Sequence, residues 1–269
     1  MTLSPQSPRF ATFMYHEVTD DPTSSGFQRQ NALPYKHTRA DFAAHLRHIA
    51  AAPSAPARIS DIDMLGPGRY LLLTFDDGGA SARYIADELE RRGWMGHFFI
   101  ITSRIGTAGF LDAAGIRDLQ ARGHFIGSHS HTHPILFGQH PYATVLEEWR
   151  VSRERLTQLL GTPCLAGAVP GGDISPHALE AAHAAGLRYL FTSEPWLTPR
   201  RVGDCWILGR YGVKTSTSAS RIGELAQFRG WWRALLMRQA KGLVRTTLPG
   251  LYRMYVRHRT REAAPVSAT

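Results

Sequence analysis

Cysteine is nearly absent: Cys164 and Cys205 are the only two in 269 residues. Their spacing gives neither a CxxC pair nor a disulfide framework, so a cystine-stapled scaffold is excluded and a reducing compartment is compatible. No stretch approaches the ~18 consecutive apolar residues that a membrane-spanning helix needs. Residues 1–10 are rich in Ser and Pro and have no apolar core of the kind a secretory leader carries, so a cytoplasmic location is expected. There is no internal repeat. Acidic residues are scarce at one end only. From Ala226 onward nine Lys and Arg face a single acid, Glu262, which accounts for +8 of the chain's net +9. The body is therefore close to neutral, and a nucleic-acid-binding body is not supported.

What is present is an ordinary globular composition, 43% hydrophobic and 20% charged, with two short stretches that stand out. Residues 71–79 read LLLTFDDGG, an apolar run that ends in two acids and two glycines. Residues 128–134 read SHSHTHP. A buried strand that stops so abruptly in charge usually stops at a site, because an unpaired buried carboxylate is very costly. His129 and His133 are four residues apart, one turn if the segment is helical, so both imidazoles can face one point. One Asp and two His suit Zn²⁺, or Fe, Co, Ni or Mn, with positions left for water. Asp76 and Asp77 would point apart on a regular strand; a turn at Gly78-Gly79 lets both reach one cavity with different tasks.

The rest of the chain alternates apolar strands with helices. Strands are expected over 11–15, 69–75, 95–102, 124–127, 164–169 and 187–192, with 206–208 a candidate for one more. Helices are expected from Thr38, with His45 and His48 on its polar side, and over 81–92, 111–122, 142–160 and 176–185, several closed by glycine. Residues 1–9 are expected to be disordered and 19–37 to form a loop. Strands apolar on both faces that alternate with helices indicate a parallel sheet in an α/β fold, barrel-like or doubly wound.

With these motifs, the chain resembles the polysaccharide deacetylases of the NodB-homology type, carbohydrate esterase family 4, over roughly residues 11–213. Thr74-Phe-Asp-Asp-Gly78 stands where the family has T-F-D-D-G, and His129-Ser-His-Thr-His133-Pro matches its H-S/T-x-x-H-P. The resemblance implies a distorted, incomplete (β/α) barrel and metal-assisted removal of an acetyl group from a sugar. It implies Asp76 as general base and Asp77, His129 and His133 as ligands of one divalent ion, Zn first, with Co, Ni or Mn accepted. Two departures matter. The family's R-P-P-Y-G is here Ala168-Val-Pro-Gly-Gly172, without the arginine that braces the catalytic Asp, and the late L-x-H motif is missing. Met14-Tyr-His16 resembles the start of a branch that includes deacetylases of poly-N-acetylglucosamine and related exopolysaccharides, in which this histidine acts as the acid. In the same way Gly171 takes the place of the oxyanion donor, which needs only a backbone N–H.

Further candidates come from the residues themselves. His97, inside an apolar strand, competes with His16 for the acid role. His131 is expected beside the site without ligating. Arg210 is a candidate brace for Asp76 or a substrate contact, and Trp196 a sugar-stacking wall or a core residue. Residues 229–245 place Arg229, Arg233, Lys241 and Arg245 at multiples of four, with Trp232, Leu235, Leu236, Leu243 and Val244 largely on another side. Leu251 to Arg259 repeats the mix. That pattern fits a helix lying on an anionic membrane surface, or one packed on the barrel with its arginines in water. The expected organisation is a catalytic domain over 1–224 and a basic helical tail over 225–269 with a disordered end. The expected substrate is an N-acetylhexosamine of a glycan or its lipid-linked precursor. An amidase on a non-sugar substrate and a non-catalytic, membrane-docked module of a glycan-assembly complex are the alternatives.

Overall fold

The computed structural model describes residues 7–247 together with Gly250 and Met254. Eleven strands are formed: β1 (Arg9–Tyr15), β2 (Glu17–Val18), β3 (Lys36–His37), β4 (Arg69–Phe75), β5 (His97–Ile100), β6 (Phe125–Ser128), β7 (Ala166–Ala168), β8 (Tyr189–Phe191), β9 (Arg200–Val202), β10 (Cys205–Leu208) and β11 (Tyr211–Gly212). The helices are α1 (Arg39–Ala50), α2 (Ala82–Glu90), α3 (Ala113–Ala121), α4 (Tyr142–Leu160), α5 (Pro176–Ala184), α6 (Ala219–Ala226) and α7 (Trp231–Thr247). Nine strands form one curled sheet in the order β11-β1-β4-β5-β6-β7-β8-β10-β9, parallel except between β9 and β10. It is an incomplete, distorted barrel, and β2 pairs with β3 beside it.

The strands divide their side chains by alternation. Ala11, Phe13 and Tyr15 of β1 and Leu71, Leu73 and Phe75 of β4 face the helices, where they join Phe42, Ile85, Leu89 and Ile222 in one buried cluster. Phe10 and Leu72 face the other way and meet Phe99, Phe191 and Leu208 in the barrel interior. A period of two in the side chains, with both faces buried, is what made these strands continuous apolar runs. Helix starts are capped by short polar side chains: Thr38 accepts from the Asp41 N–H, Asp112 from Gly115, Ser175 from Ala178 and Ser218 from Arg221.

Several expectations are corrected. His45 is not on a polar face. It is buried because α6 packs over α1, and its ring lies between the Tyr15 hydroxyl (3.2 Å) and the Thr217 carbonyl (3.1 Å). β9, β11 and α6 were not foreseen, and residues 19–37 are not all loop, since β3 ends that segment. The boundary expected at 224/225 falls inside α6. Leu225, Ala226 and Trp231 all belong to the helix-side core. The disorder expected at the N-terminus and the basic segment from Leu251 to Arg259 lie, but for residues 7–9 and Met254, outside the described residues. Among the described residues no helix is long and apolar enough to cross a membrane.

Candidate metal and catalytic centre

The candidate residues follow the C-terminal ends of parallel strands, the end at which α/β barrels gather their loops. His16 follows β1, Asp76 and Asp77 follow β4, His129 follows β6, and Arg210 follows β10. The chain turns sharply after β4: Asp77 and Gly78 both have φ of 75°. This left-handed step turns the two adjacent acids toward one space. Gly79 is needed for contact, since any side chain there would overlap the Glu17 carboxylate.

Segment 129–133 is not a helical turn, contrary to the simplest reading of its spacing. Ser130 and His133 are left-handed, with φ of 63° and 58°. The loop is held from α4: Glu148 accepts the N–H groups of His131 (2.9 Å) and Thr132 (2.7 Å) and the Thr132 hydroxyl (2.6 Å). The Ser130 hydroxyl accepts the His133 N–H (3.0 Å). These contacts, not a helix, bring the two rings to 4.9 Å between centroids.

Among the described residues, Asp77, His129 and His133 are the one group whose ligand atoms converge, all within 4.8 Å of one another. Asp77 Oδ1 lies 3.4 Å from His129 Nε2 and 3.9 Å from His133 Nε2. His129 uses its Nδ1–H on the Ala168 carbonyl (2.8 Å), which leaves the Nε2 lone pair toward Asp77. That is the tautomer and orientation a ligating histidine requires. Burial lowers the pKa of both histidines, so they are neutral donors. Burial first, then Asp76 and Glu17, raises Asp77 well above the usual carboxylate range. A divalent cation among these donors would reverse that cost, so the donor set fits one.

Asp76 has different surroundings. Arg210 Nη1 and Nη2 donate to its two oxygens at 2.7 and 2.9 Å, and both side chains are buried. Arg210 also donates from Nε to the Thr192 carbonyl (2.8 Å) and from Nη1 to Thr74 Oγ1 (3.2 Å). Burial alone would raise Asp76, but the charges of Arg210 and His129 and the Arg210 hydrogen bonds outweigh it and hold it at about 2. Asp76 Oδ2 is 3.9 Å from His129 Nε2, so the pinned carboxylate borders the candidate cation site. Arg210 is fully buried, which corrects the expectation of a substrate contact.

His16 packs against Tyr35 with ring centroids 4.5 Å apart and planes tilted by 40°, and among the described residues its buried Nδ1 has no hydrogen-bond partner. Burial lowers it to about 4, with Asp76 pulling upward and His129 downward, which places it in the field of the same site. His97, the rival acid, is a satisfied core histidine. It donates from Nδ1 to the Leu73 carbonyl and accepts the Ile59 N–H, both at 2.9 Å. His131 bonds Thr102 Oγ1 through Nδ1 (2.9 Å) and stays out of the ligand group. Gly171, with φ of 60°, is the exposed residue of a single turn after β7 whose other residues, Pro170 and Gly172, are buried, and it lies three residues beyond the Ala168 carbonyl that anchors His129. Trp196 is not a wall of this site. Its neighbour Leu197 accepts the Phe10 N–H at the N-terminal end of β1, the end opposite His16, and Arg200 covers its ring at 3.9 Å.

Two residues of the neighbourhood were missed. Glu148 is seventeen residues from the loop it holds. Glu17 is buried behind Gly79 and accepts from the hydroxyls of Ser25 and Ser81. Only its place directly after His16 hinted at either.

Residues 65–190 match the family model described as polysaccharide deacetylase. A sequence comparison with curated proteins gives no significant match. Among solved structures, the fold is similar to BC0361, a polysaccharide deacetylase from Bacillus cereus (20% identity, TM-score 0.67, 81% of this chain and 69% of that one). It is similar to IcaB from Ammonifex degensii (22%, 0.66, 82% and 98%). It is also similar to a de-N-acetylase from Aggregatibacter actinomycetemcomitans (17%, 0.67, 81% and 99%).

Proposed function

We propose, from the match of residues 65–190 to the polysaccharide deacetylase family model, that the chain is a metal-dependent hydrolase that removes the N-acetyl group from an N-acetylhexosamine of a glycan or its lipid-linked precursor, releasing acetate. The observation that carries this reading is the pairing of two unlike acids. Asp77 converges with His129 and His133, while its neighbour Asp76 is pinned by Arg210 at the edge of the same cavity. A divalent cation, Zn or else Co, Ni or Mn, would be held by Asp77, His129 and His133 and would supply Lewis acidity toward the amide carbonyl and water.

The chain's own groups do the rest. Asp76, ionised throughout the neutral range, takes the proton of the attacking water as its oxygen bonds to the carbonyl carbon. The Gly171 N–H is the donor to the oxygen that gains charge. His16 gives a proton to the leaving nitrogen as the C–N bond breaks, so the products are acetate and a free amine. Burial, which holds it at about 4, leaves the free imidazole neutral, and the Asp76 charge pulls it back toward the charged form that this step uses. The experiment is acetate release from a panel of N-acetylated glycans and lipid-linked sugars, with and without chelator. Acetate release that a chelator abolishes and Zn²⁺ restores supports the reading. Chelator-resistant release, or release from non-sugar acetamides alone, overturns it.

α7 also supports a reading of where the protein acts. Trp231 and Ala234 turn into the core, whereas Trp232, Leu236 and Met237 are exposed on a helix that also carries Arg229 just before it and Arg233 within it. We propose that this face rests on an anionic leaflet at the inner side of the membrane, where each nearby Lys or Arg adds about 1 kcal/mol. Trp231 sits in the core, so Trp232→Glu with Leu236→Glu is a cleaner probe than truncation. Loss of co-sedimentation with anionic vesicles at low salt is expected. Equal sedimentation of both proteins, or none by either, refutes it.

A further inference from the structure

The helix α7 does more than cover the barrel. Arg238, two turns beyond Trp231, reaches back over the site. Its Nε donates to Glu194 Oε1 at 2.8 Å, and its Nη2 lies 2.7 Å from the same oxygen. Nη2 also donates to the Gly172 carbonyl at 2.8 Å. Gly171 and Gly172 are both left-handed, and the Gly172 backbone lies against Ser193 so closely that a side chain there would overlap it. The same Glu194 accepts the Arg210 N–H through its backbone carbonyl at 2.9 Å. Glu194 thus holds the arginine that pins Asp76 with its backbone and the arginine that holds the glycine loop with its side chain. Burial raises the pKa of Tyr35, the ring packed against His16, and the Arg238 charge pulls against that rise.

We propose that Arg238 is a positioning residue for the deacetylation reaction. It anchors the Gly172 carbonyl, the exit of the left-handed glycine turn, so that the Gly171 N–H one residue earlier is aimed where the oxyanion forms, and α7 is thereby part of the catalytic unit. This rests on the reaction proposed above. The turn has two long backbone hydrogen bonds of its own, from the Gly172 N–H to Val169 (3.2 Å) and from the Asp173 N–H to Pro170 (3.4 Å), and two glycines leave it the widest backbone freedom. An anchored carbonyl removes that freedom in advance, which is what makes a preorganised donor effective.

The test compares Arg238→Ala and Arg238→Lys with Gln239→Ala, a change at an exposed position of the same helix. Two readouts are taken: kcat and KM for acetate release, and amide hydrogen exchange of the peptide covering residues 169–174. Arg238→Ala should lower kcat about tenfold, short of the roughly 10²–10³ expected for complete loss of a donor. It should leave KM within about twofold, keep bound metal unchanged and speed exchange in that peptide. Arg238→Lys should recover part of kcat, because an ammonium can reach one acceptor but not span two. Gln239→Ala should match the unaltered protein. Unchanged exchange and unchanged kcat in Arg238→Ala overturn the proposal. So does a kcat loss matched by an equal loss of metal or by faster exchange across the whole chain. If the unaltered protein releases no acetate, the proposed reaction fails, and the exchange result alone decides whether Arg238 holds the loop.

Discussion

Replacing Arg210 by Met separates a charge pair that the fold hides completely. Arg210 is 0% and Asp76 3% exposed, so water can take over little of what is lost. Four donated hydrogen bonds disappear, two of them to Asp76. Removing one partner of a buried, hydrogen-bonded pair costs about 3–5 kcal/mol, because the other charge is left uncompensated. The pKa supports this scale. A carboxyl held at about 2 instead of 3.8 favours the folded state by about 2 kcal/mol at neutral pH, even after its burial is charged against it. That stability is complete above 3.8 and is lost as pH falls through about 2. Without Arg210 the burial effect stands nearly alone and Asp76 rises, so the variant's penalty is largest at pH 7 and shrinks as the pH falls toward 4. At roughly 2–4 °C per kcal/mol for a chain of this size, the melting temperature should drop by about 10 °C. The assay is urea and thermal unfolding with chelator present, so that metal affinity does not enter the comparison. Asp76→Asn and the double variant complete a cycle, in which a coupling of several kcal/mol is expected. A loss under about 1 kcal/mol for Arg210→Met, or a double variant whose effects simply add, would refute the reasoning.

Arg210 also shows where sequence reading stops. Asp76, Asp77, His129 and His133 stand out locally, since charge or imidazole directly after an apolar run needs no knowledge of the rest of the chain. Arg210 meets Asp76 across 134 residues, and only the curl of the sheet, which carries the chain from β10 back to β11 at the edge beside β1 and β4, brings them together. β9 and β11 have three and two residues, too short for any period to register. The His129–His133 spacing fitted a helical turn, yet a loop with two left-handed residues, neither of them glycine, satisfies it as well. Such a loop depends on the distant Glu148, which no local pattern reports. Trp231 and Trp232 are adjacent and alike in composition. One is buried against Phe13 and Tyr211 while the other is exposed, and the phase of α7 alone decides which.

His129→Ala and His133→Ala should each lose most of the bound metal by elemental analysis; metal content equal to that of the unaltered protein would remove these residues from the ligand set. His16→Ala should lower turnover by about 10²–10⁴-fold with metal retained; near-normal turnover would move the acid role to another group. The pH dependence of stability should carry the mark of His97, far from the metal ligands. His97 is fully buried among Phe125 and Phe191, and its Nε2 accepts the Ile59 N–H. A proton added at Nε2 turns that acceptor into a donor facing a donor, inside an apolar shell. Burial lowers the histidine from 6.5 to about 4. The unfolded chain therefore binds the proton at pH values where the folded chain refuses it, so stability falls as the pH drops from 6.5 toward 4. One proton contributes about 1.4 kcal/mol per pH unit over that window, or about 3 kcal/mol in all. His97→Gln keeps a donor and an acceptor but cannot titrate, so its urea-derived stability should lose that much less between pH 6.5 and 4. An unchanged slope in the variant would show that His97 is not the group that charges on unfolding.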